Sequence, residues 1–257
     1  MQNNTIFGHY KPLHTIVLNK TTSTNDYLKH LLSNFKPLPE FTAIMAKMQT
    51  HGRGQRGSSW ITEPGQNLTA SVYLKLNKLD TSKQFLLTAT SSLALYDTIR
   101  HYVNKNVAIK WPNDIFIDNK KVCGLLIENK ISGSQLTTAT IGIGLNINQI
   151  VFPEDIKEKA TSLRLAGLEG SISFIEIIQT IQRYLYHYHQ LLTRGSHDEL
   201  LKQYNERLFQ KDEIKIYRTK DQPFYGKIIG VEEDGLLQII VDGQLTKYDL
   251  KDITYQL

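Results

Sequence analysis

Apolar and polar positions alternate most strictly through Leu68, Ala70, Val72, Leu74 and Leu76, a period of two that predicts a half-buried strand. Runs of similar character predict strands at 14–20 (HTIVLNK) and 41–49 (FTAIMAKMQ), and again in VAIKW, DIFID, KKVCGLLIENK and QLTTATIGIGLNIN. Elsewhere the spacing is helical. Thr22, Ser23 and Thr24 are candidate N-caps for a helix that carries Tyr27, Leu28, Leu31 and Leu32 on one face and ends near Asn34. Residues 81–103 repeat through Phe85, Leu86, Ala89, Leu93 and Leu95, and residues 171–192 through Phe174, Ile178, Ile181 and Leu185. A shorter helix is expected over 197–209.

From about residue 212 the character changes to short strands (IKIYR, FYGKIIGV, LLQIIVDG, LTKYDL) separated by DQP, EEDG and DG turns. The 257 residues, at about 150 per domain, suit one sizeable domain plus a small one. The division expected is 1–210 and 211–257, the second unit being too small to be stable unless it packs on the first. Helices and strands mix without regular βαβ alternation, so the fold class expected is α+β, a mixed and largely antiparallel sheet covered by helices on one side.

Composition changes this picture little. Hydrophobic residues are 40% and charged residues 21%, which suits an ordinary globular chain. Thirty Lys and Arg against 25 Asp and Glu leave a mild excess of +5, compatible with an anionic ligand; the basic residues form no stripe of the kind nucleic-acid binding uses, so no nucleic-acid partner is expected. The single cysteine, Cys123, excludes an intramolecular disulfide and reads as a small buried apolar residue. The first residues lack an apolar signal region and no run approaches about 18 apolar residues, from which a soluble cytoplasmic protein without membrane contact is expected.

Three segments could carry chemistry. Gly52-Arg53-Gly54-Gln55-Arg56-Gly57 combines bare backbone with guanidinium groups, which suits a phosphate cradle and equally a solvated surface loop. Lys110-Trp111-Pro112-Asn113-Asp114, followed by Lys120, Lys121 and Gly124, would bring an acid, an amide and an ammonium to one end of a sheet, or form a plain β-turn with a solvated ion pair. Gly142 and Gly144, inside a strand-like run ending at Asn146, indicate close approach of a ligand or of another backbone. His187 and His189 are two apart on a helix and diverge, which argues against a shared metal ion.

In order along the chain, Ser23-Thr24-Asn25, Gln49-Thr50-His51-Gly52-Arg53-Gly54, Lys110-Trp111-Pro112-Asn113-Asp114, Lys121-Val122-Cys123-Gly124 and Gly142-Ile143-Gly144-Leu145-Asn146 together resemble the biotin protein ligases, over residues of about 14 to 257. The resemblance implies a catalytic domain like that of class II aminoacyl-tRNA synthetases with a small SH3-like β-barrel after it. Only about 13 residues precede the first predicted strand, which suggests the monofunctional kind without an N-terminal DNA-binding domain.

The resemblance further implies that biotin and ATP react to biotinyl-AMP with the help of Mg²⁺, and that the biotinyl group passes to a lysine of a biotin carboxyl carrier domain. It assigns Ser23, Thr24, Asn25, Gln49, Gly52, Gly124, Gly142 and Gly144 to biotin, and Arg53 and Lys121 to biotin and phosphate alike. Arg56, Trp60, Asn113 and Asn146 fall to the adenylate, and Lys121, Arg53 and Asp114 to the chemistry; the metal ligands stay undetermined, and a homodimer stays as open as a monomer. Many relatives carry a second arginine where this chain has Gln55, so the adenylate is expected to be held less tightly here unless Arg56 takes over that work. The alternatives are a lipoate or octanoate ligase or transferase, whose usual R-R-x-x-G-G-G motif is missing, and a noncatalytic biotin-binding regulator.

Overall fold

The computed structural model describes residues 13–34, 38–220 and 222–256, without the side chains of Arg56 and Lys78. The chain start read for a signal region lies outside the described residues. In order, the elements are β1 (Thr15–Thr21), α1 (Thr24–Asn34), β2 (Ala43–Gln49), β3 (Asn67–Asp80), α2 (Gln84–Tyr102), β4 (Val107–Lys110), β5 (Asp114–Ile117), β6 (Lys120–Ser132) and β7 (Gln135–Asn146). Then follow α3 (Phe174–Thr193), α4 (His197–Glu206), β8 (Ile214–Arg218), β9 (Pro223–Val231), β10 (Leu237–Val241), β11 (Gln244–Tyr248) and β12 (Thr254–Tyr255).

Seven strands form one sheet in the order β1-β2-β3-β7-β6-β5-β4, and five form a second in the order β11-β10-β9-β8-β12. Only β1 and β2 pair in parallel; every other neighbouring pair is antiparallel. The α+β class with a largely antiparallel sheet and a C-terminal β unit is therefore what the chain adopts.

The large sheet is covered on both faces, which corrects the expectation of helices on one side only. Along β2 and β3, Ala43, Met45, Leu68, Ala70, Val72 and Leu74 belong to the main core, to which α2 and α3 contribute. The alternate residues Ile44 and Tyr73 pack instead with Leu28 of α1, beside Leu18, Tyr27, Leu31 and Leu32. Because successive side chains on a strand point to opposite faces, α1 lies across the sheet from α2 and α3. For the same reason β3 is enclosed on both faces over residues 67–74, and alternates as expected only from Lys75, which is exposed, through buried Leu76 to exposed Asn77. Thr69 and Ser71 are as enclosed as their apolar neighbours, since their face is closed by α1 and the loops beside it.

The C-terminal sheet shares the main core through Tyr217, Ile228, Val231, Leu237, Ile239 and Ile253. Its attachment supplies the apolar burial that so short a β segment cannot find within itself. No helix among the described residues is long and apolar enough to cross a membrane.

Candidate active site

The strand register draws one line of residues across the sheet. Lys110 opposes Asp114, Asp114 opposes Gly124, Gly124 opposes Gly144, and Gly144 opposes Thr69. Directly opposed residues share a face, so all five look toward the side that α1 covers in part. A parallel line two residues along runs through Leu126, Gly142, Ser71 and Ile44.

The glycines make room on this face. A methyl group on Gly144 would stand 2.5 Å from Nε1 of Trp60, and one on Gly142 2.5 Å from Oδ1 of Asn25. Above the glycines lies a cavity of about 250 Å³, bordered at the β3 side by Ser23, Thr24, Asn25 and Gln49 and at the β4 side by Lys110, Asn113, Asp114 and Lys121. Arg53, Gln55 and Trp60 from the glycine-arginine loop and Leu250 from the C-terminal unit complete the wall.

The β3 end is neutral and polar. Ser23 caps α1, its Oγ accepting from the Asp26 amide at 3.4 Å. Thr24 donates through its backbone N and its hydroxyl to Oε1 of Gln49, at 2.9 and 3.2 Å. Ser71 Oγ donates toward Thr24 Oγ1 (2.8 Å) and Asn25 Oδ1 (2.5 Å), while Asn25 Nδ2 donates to the Leu126 carbonyl (3.3 Å) and to Glu128 (2.7 Å). With Ser23, Thr24, Asn25 and Ser71 all buried, these hydroxyls and amides are held in fixed orientations rather than by solvent.

The β4 end is ionic. Lys121 Nζ meets Asp114 Oδ1 at 2.7 Å and lies 5.6 Å from the Trp60 ring centroid. Asn113, buried, donates from Nδ2 to the Leu125 carbonyl at 2.6 Å, which locks β5 to β6. The Trp60 indole N–H is buried with no acceptor among the described residues.

Several expected site residues take other partners. Arg53 lies at the cavity, but its guanidinium is bound to Asp26 at 2.6 Å and Glu128 at 3.3 Å. Gly52 is not on the cavity wall; it lies against the Trp60 carbonyl and accepts the Trp60 amide at 2.9 Å, so its bareness lets the loop close on itself. Asn146 is buried with Nδ2 donating to the Thr161 carbonyl at 3.0 Å, and it also stands off the wall. The Arg56 side chain lies outside the described residues. Cys123 is fully buried, and burial pushes its thiol pKa well up, as a small apolar core residue requires.

Ser71, Asp26, Lys29 and Glu128 were not legible as site residues. Lys29 bridges Asp26 and Glu128 at 3.1 and 2.8 Å. Burial alone would raise the Glu128 pKa, but hydrogen bonds from Lys29 and Asn25 and the charges of Lys29 and Arg53 outweigh it and hold the carboxyl below the usual range. The one local signal was an acid directly after the apolar run Leu125-Leu126-Ile127.

The chain is similar to known proteins. The profile of the biotin/lipoate A/B protein ligase family matches residues 17–146. Bifunctional ligase/repressor BirA of Bacillus subtilis is 30% identical over 241 residues, which span 93% of this chain and 73% of that protein. The chain belongs to the biotin/lipoate A/B protein ligase family. A biotin--[acetyl-CoA-carboxylase] ligase of Paracoccus denitrificans is 33% identical over 106 residues, 40% of this chain and 43% of the relative. Among solved structures, biotin protein ligase from Aquifex aeolicus in complex with biotin and ATP superposes with a TM-score of 0.76 at 24% identity, covering 95% of this chain and 98% of that one. That last likeness is one of fold.

Proposed function

We propose that this chain is a biotin protein ligase that activates biotin with ATP as biotinyl-AMP and transfers the biotinyl group to a lysine of a biotin carboxyl carrier domain. The observation that carries the reading is the cavity's polarity: fixed neutral donors and acceptors at one end, a lysine–aspartate pair at the other, and a glycine floor between. A ureido ring offers N–H donors and a carbonyl acceptor that the Thr24, Asn25, Gln49 and Ser23 groups can satisfy. The apolar dithiolane of lipoate offers neither, so whichever of these groups keeps a proton or lone pair open to the cavity would be covered without a partner, at about 1 to 3 kcal/mol each.

In the first step an oxygen of the biotin carboxylate bonds to the α-phosphorus, and the bond from that phosphorus to the bridging oxygen breaks, pyrophosphate leaving with the electron pair. Lys121 approaches the carboxylate and α-phosphate and offsets their mutual repulsion, with Asp114 fixing its ammonium. Arg53 adds a second positive charge once it leaves Asp26 and Glu128. Trp60 covers the adenylate, while Asn113 and Asn146 act from beneath, holding the strands and the 160s loop that shape that end.

No group of three metal-binding side chains occurs among the described residues, and Asp114 is the carboxylate on the cavity wall. That donor set fits a magnesium ion carried mainly by ATP phosphates, with Asp114 helping to hold it. Bound there, the ion would withdraw charge from the phosphates. In the second step the carrier lysine's nitrogen bonds to the biotinyl carbonyl carbon, AMP leaves, and the amine loses its proton.

Biotin-dependent exchange of pyrophosphate into ATP tests the reading, with lipoate, octanoate and no acid as the other arms. Exchange confined to biotin supports it. Exchange with lipoate or octanoate alone moves the chain to the other branch of its family, and none at all leaves a binding protein.

A further inference from the structure

The chemistry above leaves one lysine of the cavity without a task. Lys110 ends β4 and faces Asp114 across the Trp111-Pro112-Asn113 turn. The Asp114 carboxylate is taken by Lys121 at 2.7 Å, and no ion pair engages Lys110 among the described residues. Its Nζ rests instead 4.6 Å from the ring centroid of Tyr255 and 5.8 Å from that of Phe116. Burial holds this ammonium below the usual lysine range, Asp114 drawing it back up and Lys121 pressing it down. A desolvated cation beside a second cation, resting on aromatic faces and sharing Asp114 with Lys121, gains from an anion entering the cavity.

We propose that Lys110 is a further catalytic residue of adenylation, which binds the β- and γ-phosphates of ATP and the pyrophosphate they become, and that Tyr255 is the positioning residue that holds it there. The inference rests on the biotin-adenylation reading of the site. The direction of the substrate follows from the sheet: Ser71 on β3 and Lys110 on β4 are four strands apart, about 19 Å at roughly 4.8 Å per strand. With the ureido ring among Thr24, Asn25 and Gln49 and the α-phosphate near Lys121, the leaving group extends toward Lys110. As the bridging bond breaks, the electron pair stays on pyrophosphate, and a cation at that spot stabilises the charge that develops. Tyr255 belongs to β12, so the C-terminal sheet becomes part of the adenylation site rather than a bystander to it.

The test is biotin-dependent pyrophosphate exchange by the intact chain and its Lys110→Met, Lys110→Arg, Tyr255→Leu and Tyr255→Phe variants, with biotin binding followed by calorimetry. Lys110→Met is expected to raise the KM for both ATP and pyrophosphate by about tenfold or more while biotin affinity stays within about twofold, and Lys110→Arg to recover part of the loss. Tyr255→Leu should raise the KM for ATP more than Tyr255→Phe, which keeps the ring. Unaltered KM values in Lys110→Met would overturn the proposal, as would a parallel fall in biotin and ATP affinity, the mark of general damage. Wild-type protein whose exchange ignores biotin overturns the reading beneath it, and that result is visible before any variant is made.

Discussion

Gly144 decides how closely the Trp60 indole can approach the sheet, since any side chain there would occupy the ring's own position. Gly144→Ala should therefore displace Trp60 and lower adenylate retention while leaving biotin's ureido contacts on the Gly142 line in place; equal losses of biotin and adenylate binding would show that the glycine serves both ends. Lys121 works at a different level. On the proposed reading its ammonium acts between the carboxylate and the α-phosphate only when both are bound, so Lys121→Ala should cut adenylate formation by roughly 10²- to 10³-fold and biotin affinity far less. Comparable losses in single-turnover adenylation and in biotin binding would demote it to a binding residue. Gln55 lies on the cavity wall, and on the proposed reading a longer cation there would face the adenylate. Gln55→Arg is expected to slow release of biotinyl-AMP, and an unchanged release rate would mean that the neighbouring loop residues already do this work.

At the level of elements, the glycine-arginine loop is tied to α1 and β6 through charge. Arg53 and Lys29 each bridge Asp26 and Glu128, and the depressed pKa of Glu128 couples this junction to pH. A carboxyl with its folded-state pKa lowered contributes stability above its unfolded pKa and loses it as pH falls through the folded one, so the loss lies below the ordinary glutamate value of 4.5. Glu128→Gln should flatten the acid limb of the stability curve in urea titrations below about pH 4.5, and a limb of unchanged slope would remove Glu128 from the account. Strands and helices were legible because burial imposes periods of two and near four, and each predicted element is present. Two facts were hidden. Thr69 and Ser71 read as the solvent side of β3, since nothing local reveals that α1 and the loops beside it close over that face. The partners of Arg53 come from residues 27 and 75 positions away, a separation that no local pattern encodes. The glycines at 142 and 144, by contrast, were readable as points of close approach, because a strand tolerates them only where something needs the space.

For the molecule as a whole, the question is whether the two sheets unfold as one body. The turn that presents Asn113 and Asp114 is held from below by Tyr204 of α4, whose hydroxyl donates to the Pro112 carbonyl at 2.7 Å, and from the side by the Trp111 indole, which donates to the Gly235 carbonyl at 3.0 Å. Gly235 sits between β9 and β10 with a φ of +90° and Phe85 packed where a side chain would begin, so the junction admits little else there. Next to it, Asn205 both donates to the Val231 carbonyl (3.0 Å) and accepts the Val231 amide (2.8 Å), joining α4 to β9 much as one more strand would. Ligand-site geometry, domain contact and core continuity thus depend on the same few residues, which argues for a single cooperative transition. Asn205→Ala removes two hydrogen bonds, about 2 kcal/mol together, and for a chain of this size should lower the melting temperature by about 4 to 8 °C. Calorimetry should show one peak moving as a unit in the variant, with biotin and ATP together raising it in the wild type. Two peaks, the earlier one insensitive to ligand, would mean that the C-terminal sheet melts independently and that its contacts with the Lys110–Asp114 turn are too weak to shape the site.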